Sequence, residues 1–220
     1  MRLHFHLTPN RTLVPYDYQG NLVGAFHRWL GENDLHDTVS LYSLSWLQHG
    51  QSVAGRGLRF PNGSTFSVSS YRDDLLSKLI AGVQSGYQIA WGMEVESITI
   101  QRTPQFGEEQ WFKVASPVLL RSKPEGADRQ QYHFPWEETA NELLNRTFQT
   151  KLQHAGLDLD ALIRFDPTYT RRRTKKINYR GVPIKAALCP VIVKGDPRAV
   201  QFAWETGVGH STGIGFGALA

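Results

Sequence analysis

Arg2-Leu3-His4-Phe5-His6-Leu7-Thr8 and the stretch 21–30 that follows it decide the fold, because the apolar spacing changes between them. In residues 2–8, Leu3, Phe5 and Leu7 fall on one face and His4 and His6 on the other, which predicts a half-buried strand. From Asn21, Leu22, Phe26 and Leu30 recur at helical spacing with Val23 and Trp29 beside them, a stripe that stops near Gly31. Outward from this pair, residues 39–47 alternate again as a strand, and Pro61-Asn62-Gly63 turns into a further strand at 64–70. Residues 73–83, with Leu75, Leu76, Leu79 and Ile80 apolar and Asp73 and Asp74 at the start, read as a second helix. Val95, Ile98 and Ile100 mark a last strand over 93–102. The order is β-α-β-β-α-β, the ferredoxin-like split motif.

The second half reads the same way. A strand at 112–120 is interrupted at Pro117, and a long helix at 137–154 carries Leu143, Leu144, Phe148 and Leu152. Strands at 175–179 and 182–193 flank an Arg180-Gly181 turn, and a helix at 197–205 and a strand at 214–219 follow. The expected fold is therefore α+β, two tandem ferredoxin-like domains over residues 1–105 and 106–220. This rests on element order, not on a repeated sequence.

Charge is unevenly spread over the 220 residues. Residues 1–105 carry 8 Lys+Arg against 8 Asp+Glu, while 160–195 carry 9 against 2. A local excess of this kind on a nearly balanced protein points to a polyanion. The opening residues contain no apolar core of a signal peptide, and no apolar run approaches the ~18–20 residues of a membrane span. The single cysteine, Cys189, sits in an apolar run and reads as an inert buried thiol. A cytoplasmic protein with no membrane partner is expected.

Between the last helix and the last strand lies Gly207-Val208-Gly209-His210-Ser211-Thr212-Gly213-Ile214-Gly215-Phe216-Gly217. Glycine at this density costs conformational entropy, and makes sense where backbone passes close to something or amide groups face an anion. The loop has no lysine, which excludes a Walker phosphate loop, and Thr212 stands where a dinucleotide fingerprint needs glycine. A hairpin packed tightly between the two domains is the alternative reading.

The pattern Gly-apolar-Gly, five residues, Gly-apolar-Gly resembles the signature of the repeat-associated mysterious protein (RAMP) superfamily. Within it, the chain is most similar to the CRISPR-associated endoribonucleases that cut precursor CRISPR RNA within its repeats. The Val14-Pro15-Tyr16 turn, the Asp34-Leu35-His36-Asp37 segment, and the basic hairpin leading to Gly195-Asp196-Pro197 agree with that family. The resemblance spans the chain in element order and is sharpest at its two ends. It implies a central cleft between the domains, CRISPR repeat RNA as partner, and no metal or other cofactor. Other CRISPR effector subunits and a second copy of the chain are further candidate partners.

Metal-independent RNA cleavage needs a base for the 2′-hydroxyl, an acid for the leaving 5′-oxygen, and positive charge near the phosphorane. His27, at the edge of the helical stripe and in the last turn of its helix, and His36, in the loop beyond, are the candidate catalytic pair. The resemblance places a tyrosine or histidine at His27 and a histidine at His36. It also implies a lysine soon afterwards, and here residues 38–45 contain no lysine or arginine. RNA contacts are expected from Arg171, Arg172, Arg173, Lys175, Lys176, Arg180 and Lys185 on the basic hairpin. Gly207, Gly209, His210, Ser211, Gly215 and Gly217 of the loop, and His4 and His6 on the open face of the first strand, are the other candidates. A metal at His4-x-His6 lacks an evident third ligand. The competing reading is a non-catalytic RAMP-type RNA-binding subunit of a CRISPR effector complex.

Overall fold

The computed structural model describes residues 1–32, 39–124, 126 and 129–220. Its elements run β1 (Arg2–Leu7), α1 (Gln19–Leu30), β2 (Tyr42–Leu44), β3 (Gln51–Val53), β4 (Gly57–Arg59), β5 (Ser64–Ser70), α2 (Asp73–Ser85) and β6 (Val95–Gln101) in the first half. The second half has β7 (Glu109–Phe112), β8 (Arg121–Ser122), β9 (Gln131–Tyr132), α3 (Glu138–His154), β10 (Ala161–Phe165), β11 (Arg173–Tyr179), β12 (Val182–Leu188), β13 (Val191–Gly195) and α4 (Pro197–Thr206).

The first sheet runs β2-β5-β1-β6, antiparallel throughout. Leu3, Phe5 and Leu7 point to the side covered by the two helices. There Phe5 stacks with both Trp29 and Phe66, with ring centres 5.5 and 4.7 Å away. α1 and α2 cross closely because residue 82 is glycine: a Cβ there would meet the Trp29 carbonyl.

The second sheet runs β10-β13-β7. Residues 218–220 extend it beside β7, with Ala115 N–H donating to Ala218 O at 2.7 Å and Ala220 N–H to Lys113 O at 2.8 Å. In both halves the third strand lies between the second and the first, and the fourth lies beside the first. These are two tandem ferredoxin-like units of one α+β fold.

Several second-half elements differ from the sequence reading. The strands expected at 175–179 and 182–193 are not neighbours within the sheet. Residues 173–188 form a separate ribbon, β11-β12, inserted between the true second and third strands, β10 and β13. Its alternation is genuine, but its inner face packs on the glycine loop rather than on a helix. The strand expected at 112–120 is β7, centred earlier, and Val118 and Leu119 instead bridge to Ala187 and His210. The strand expected at 214–219 begins as a 3-10 turn, Thr212–Ile214, and pairs only near its end.

The domains share a buried seam. Arg2 is 4% exposed, donating to Ser69 Oγ at 2.6 Å, Leu219 O at 2.6 Å and Trp204 O at 3.3 Å. Beside it the Met1 ammonium and the Thr103 hydroxyl both bond the buried Glu205 carboxylate at 2.9 Å.

Candidate nucleic-acid interface

His27 lies in the last turn of α1, half-buried, with its ring edge-on to Phe26. It opens into a cavity of about 460 Å³ at the seam between the domains. Ser40 and Tyr42 line the same cavity from the first domain, and Arg121, Thr147, Thr150, Lys151, His210 and Ser211 from the second. His36, the other member of the expected pair, lies outside the described residues.

The glycine loop forms one wall, and most of it is buried. Gly207, Gly209 and Gly217 have positive φ, and a Cβ on each would meet the chain's own backbone: Gly217 O, Leu119 O and Val208 O respectively. The amides of Val208, His210 and Gly217 donate to Gly217 O, Leu119 O and Pro117 O at 2.8–2.9 Å. Gly215 accepts from Trp46 Nε1 at 2.8 Å. The glycine density thus lets two backbone segments and the first domain meet, while Gly209, His210 and Ser211 face the cavity.

The environment of His210 is specific. Burial, with Arg121 beside it, pushes its imidazole down to about 4, so it is neutral near pH 7. Arg121 N–H donates to His210 Nδ1 at 3.4 Å, which leaves the ring proton on Nε2. Arg121 adds a guanidinium, held by single long bonds to Gln130 Oε1 at 3.3 Å and Ser211 Oγ at 3.4 Å. No carboxylate lines the cavity among the described residues. It combines cations, hydroxyls and imidazoles, a donor set suited to a phosphodiester.

Sequence reasoning missed Lys151 and Arg121. Lys151 left a signal: it lies three residues after Phe148 and beside Leu152, inside the apolar stripe of α3. A lysine within such a stripe is buried with a partner or displaced from it. Here it is 4% exposed and donates to Thr206 O, Gly207 O and Thr212 Oγ1 at 2.9, 3.1 and 3.0 Å. Arg121 left none, since its strand is two residues long.

The basic hairpin sits next to this wall. Ile177, Ile184 and Ala186 on its inner face pack with Leu119 and Phe216 of the loop region. Lys176 and Lys185 are direct cross-strand partners on the opposite face, both exposed. Like charges in that register repel, and an anion lying across them removes the cost. Arg171, Arg173, Lys175 and Arg180 are also exposed and Arg172 half-buried, with Arg180 in the left-handed turn at the tip.

His4 and His6 stand apart from the His27 cavity. On the open face of the first sheet, His4 bonds Gln101 Oε1 at 2.7 Å and His6 bonds Thr99 Oγ1 at 2.9 Å. His4 lines a cleft between the two sheets with Ser67, Lys113 and Ala220. His6 lines a separate cavity with His49 and Asn62. Among the described residues no cluster of three or more His, Cys, Asp or Glu is arranged to hold a metal, and no helix is long and apolar enough to cross a membrane. Burial raises the Cys189 thiol to about 11, which keeps it protonated near pH 7.

Residues 101–220 match the model of the CRISPR-associated protein Cas6 C-terminal family. Curated protein sequences give no match. Among solved structures, a Cas6-related protein from Pyrococcus furiosus superposes with a TM-score of 0.89 at 17% identity, covering 100% of this chain and 97% of that one. A RAMP protein described as binding different RNA substrates gives 0.85 at 19%, covering 100% and 98%. A CRISPR-associated protein Cas6 gives 0.83 at 19%, again covering 100% and 98%. At these identities the likeness concerns the fold.

Proposed function

Because the chain belongs to the CRISPR-associated Cas6 family, we propose that it is a metal-independent endoribonuclease that binds CRISPR repeat RNA and cuts precursor CRISPR RNA within the repeats. In this reading residues 1–105 and 106–220 are its two domains, it works in the cytoplasm, and RNA lies across the seam. The 2′-hydroxyl of the nucleotide before the scissile bond loses its proton to one histidine and attacks the adjacent phosphorus. The P–O bond to the 5′-oxygen breaks, and that oxygen takes a proton from the second histidine. The products are a 2′,3′-cyclic phosphate and a 5′-hydroxyl, with no change of oxidation state. His27 and His36 carry the two proton roles, and the Arg121 guanidinium stabilises the phosphorane. The basic hairpin holds the RNA flank, and His210 and Ser211 contact its backbone.

The observation that carries this reading is the opening of His27 into a cavity lined by Arg121, Lys151 and His210, with no carboxylate among its described lining residues. The test is incubation with repeat RNA in excess chelator, with a second substrate carrying a 2′-deoxy nucleotide before the cut. Cleavage of the first and not the second supports the mechanism; a requirement for a divalent ion rejects it. If the native protein binds repeat RNA without cutting it, and His27→Ala and His36→Ala leave that binding intact, the protein is instead a non-catalytic RNA-binding subunit.

A further inference from the structure

The glycine loop is gathered at one point, and that point is a side chain from outside it. Lys151 runs its stem among the apolar residues of α3 and brings its ammonium under the loop. Two of its acceptors, Thr206 O and Gly207 O, are at the C-terminal end of α4, where the helix dipole favours a cation. The third, Thr212 Oγ1, itself donates to Tyr42 O at 2.8 Å, on β2 of the other domain. Three N–H groups meet three acceptors, so the ammonium has no donor left for a substrate. Its work is mechanical. Gly207 and Thr212 bracket the segment that presents Gly209, His210 and Ser211 to the cavity.

We propose that Lys151 is the positioning residue of the RNA-processing site, clamping α4, the glycine loop and β2 together so that His210 and Ser211 are held in the cavity that His27 enters. This rests on the reading above for the identity of the substrate but not for the existence of the clamp. Among the described residues, the titratable groups around the cavity are His27 from α1, Tyr42 from β2, Arg121 from β8 and His210 from the loop. None is an acid that would neutralise Lys151, so backbone and hydroxyl dipoles alone compensate it among the described residues. Burial pushes the ammonium down to about 7, so the grip changes within the range where the site would work.

Trp46 gives the clamp its own readout, because its indole donates to Gly215 O at 2.8 Å. The experiment uses the full chain labelled with 5-fluorotryptophan, with the Trp46 resonance assigned by Trp46→Phe. Lys151→Met keeps the stem and removes the donors. Thr212→Val keeps the charge and cuts the link to Tyr42, and Thr212→Ser restores the hydroxyl. The expected result is a shifted or broadened Trp46 signal in Lys151→Met and Thr212→Val and a native one in Thr212→Ser. In single-turnover assays with repeat RNA, Lys151→Met loses about tenfold or more in rate at saturating protein, the loss expected of misplacement. Its half-saturating concentration moves far less, and the optimum of its pH profile shifts. An unchanged Trp46 signal or an unchanged rate in folded Lys151→Met overturns the proposal. If that variant does not unfold cooperatively, the Thr212→Val and Thr212→Ser pair decides by the same signal. If the native protein cuts no RNA, the activity reading fails and the Trp46 signal alone judges the clamp.

Discussion

The guanidinium of Arg2 lies 3.9 Å from the centre of the Trp204 ring, so the first strand of one domain and the last helix of the other share a buried cation. The same group bonds Leu219 O, in the last strand of the second sheet, and burial lowers it to about 10, which still leaves it charged. Arg2→Met fills part of the space but strands Leu219 O and Ser69 Oγ. The expected cost is about 2–4 kcal/mol. Urea unfolding followed by tryptophan fluorescence measures it.

His27→Ala should lower the single-turnover cleavage rate about 10²–10⁴-fold, the range of general acid–base catalysis, while repeat RNA binds within a few-fold of native. Filter binding and cleavage on the same preparation check this. His36→Ala should behave alike.

The depressed value of His210 gives a stability signature on the acid side. In the unfolded chain this imidazole takes its proton near pH 6.5, and in the folded protein only near 4. The unfolded state therefore binds the extra proton first, and stability falls as pH drops through that window. His210→Gln should flatten the decline in thermal midpoint between these two pH values.

Lys151 acts in the opposite pH range. Its folded value is near 7 and its unfolded value near 10.5, so the unfolded chain holds more protons between them. The native protein should gain stability over Lys151→Met as pH rises through that window, and keep a constant difference below it. Calorimetry at pH 6, about 7.5 and about 9 would show the trend.

On the hairpin, Lys176→Gln with Lys185→Gln should weaken RNA binding most at low salt. The slope of log K against log salt should fall by about 1–2, the share of two phosphate contacts. Folding stability should hold or rise slightly, because a cross-strand repulsion is removed.

Much of this molecule could be read from its residues. The first sheet declared itself because it has one wet face and one dry one: Leu3, Phe5 and Leu7 against His4 and His6. The second did not, since β10 is short and the longest alternating run, 173–188, belongs to a ribbon outside the sheet. Alternation reports a strand with two unlike faces and cannot say which layer covers it. His27 was legible from its place in the last turn of α1. Lys151 showed only its odd place in the stripe of α3, because its role depends on Thr206, Gly207 and Thr212, more than fifty residues away in the chain. Of the loop's two offered readings, the structure displays the tightly packed hairpin. Its glycines make the tight interdomain packing, and only its middle reaches the cavity.

That packing has a thermodynamic corollary. The strand that completes the second sheet begins directly after Gly217, whose N–H is held by Pro117 O and whose carbonyl accepts from Val208. Loop closure and sheet completion therefore share the backbone bonds of one residue. Whatever occupies the cavity and selects the closed loop also selects the finished sheet, by about 2.7 kcal/mol at a hundred times its dissociation constant. A ligand seated beside His210 would announce itself as a higher melting temperature of strands that it never touches.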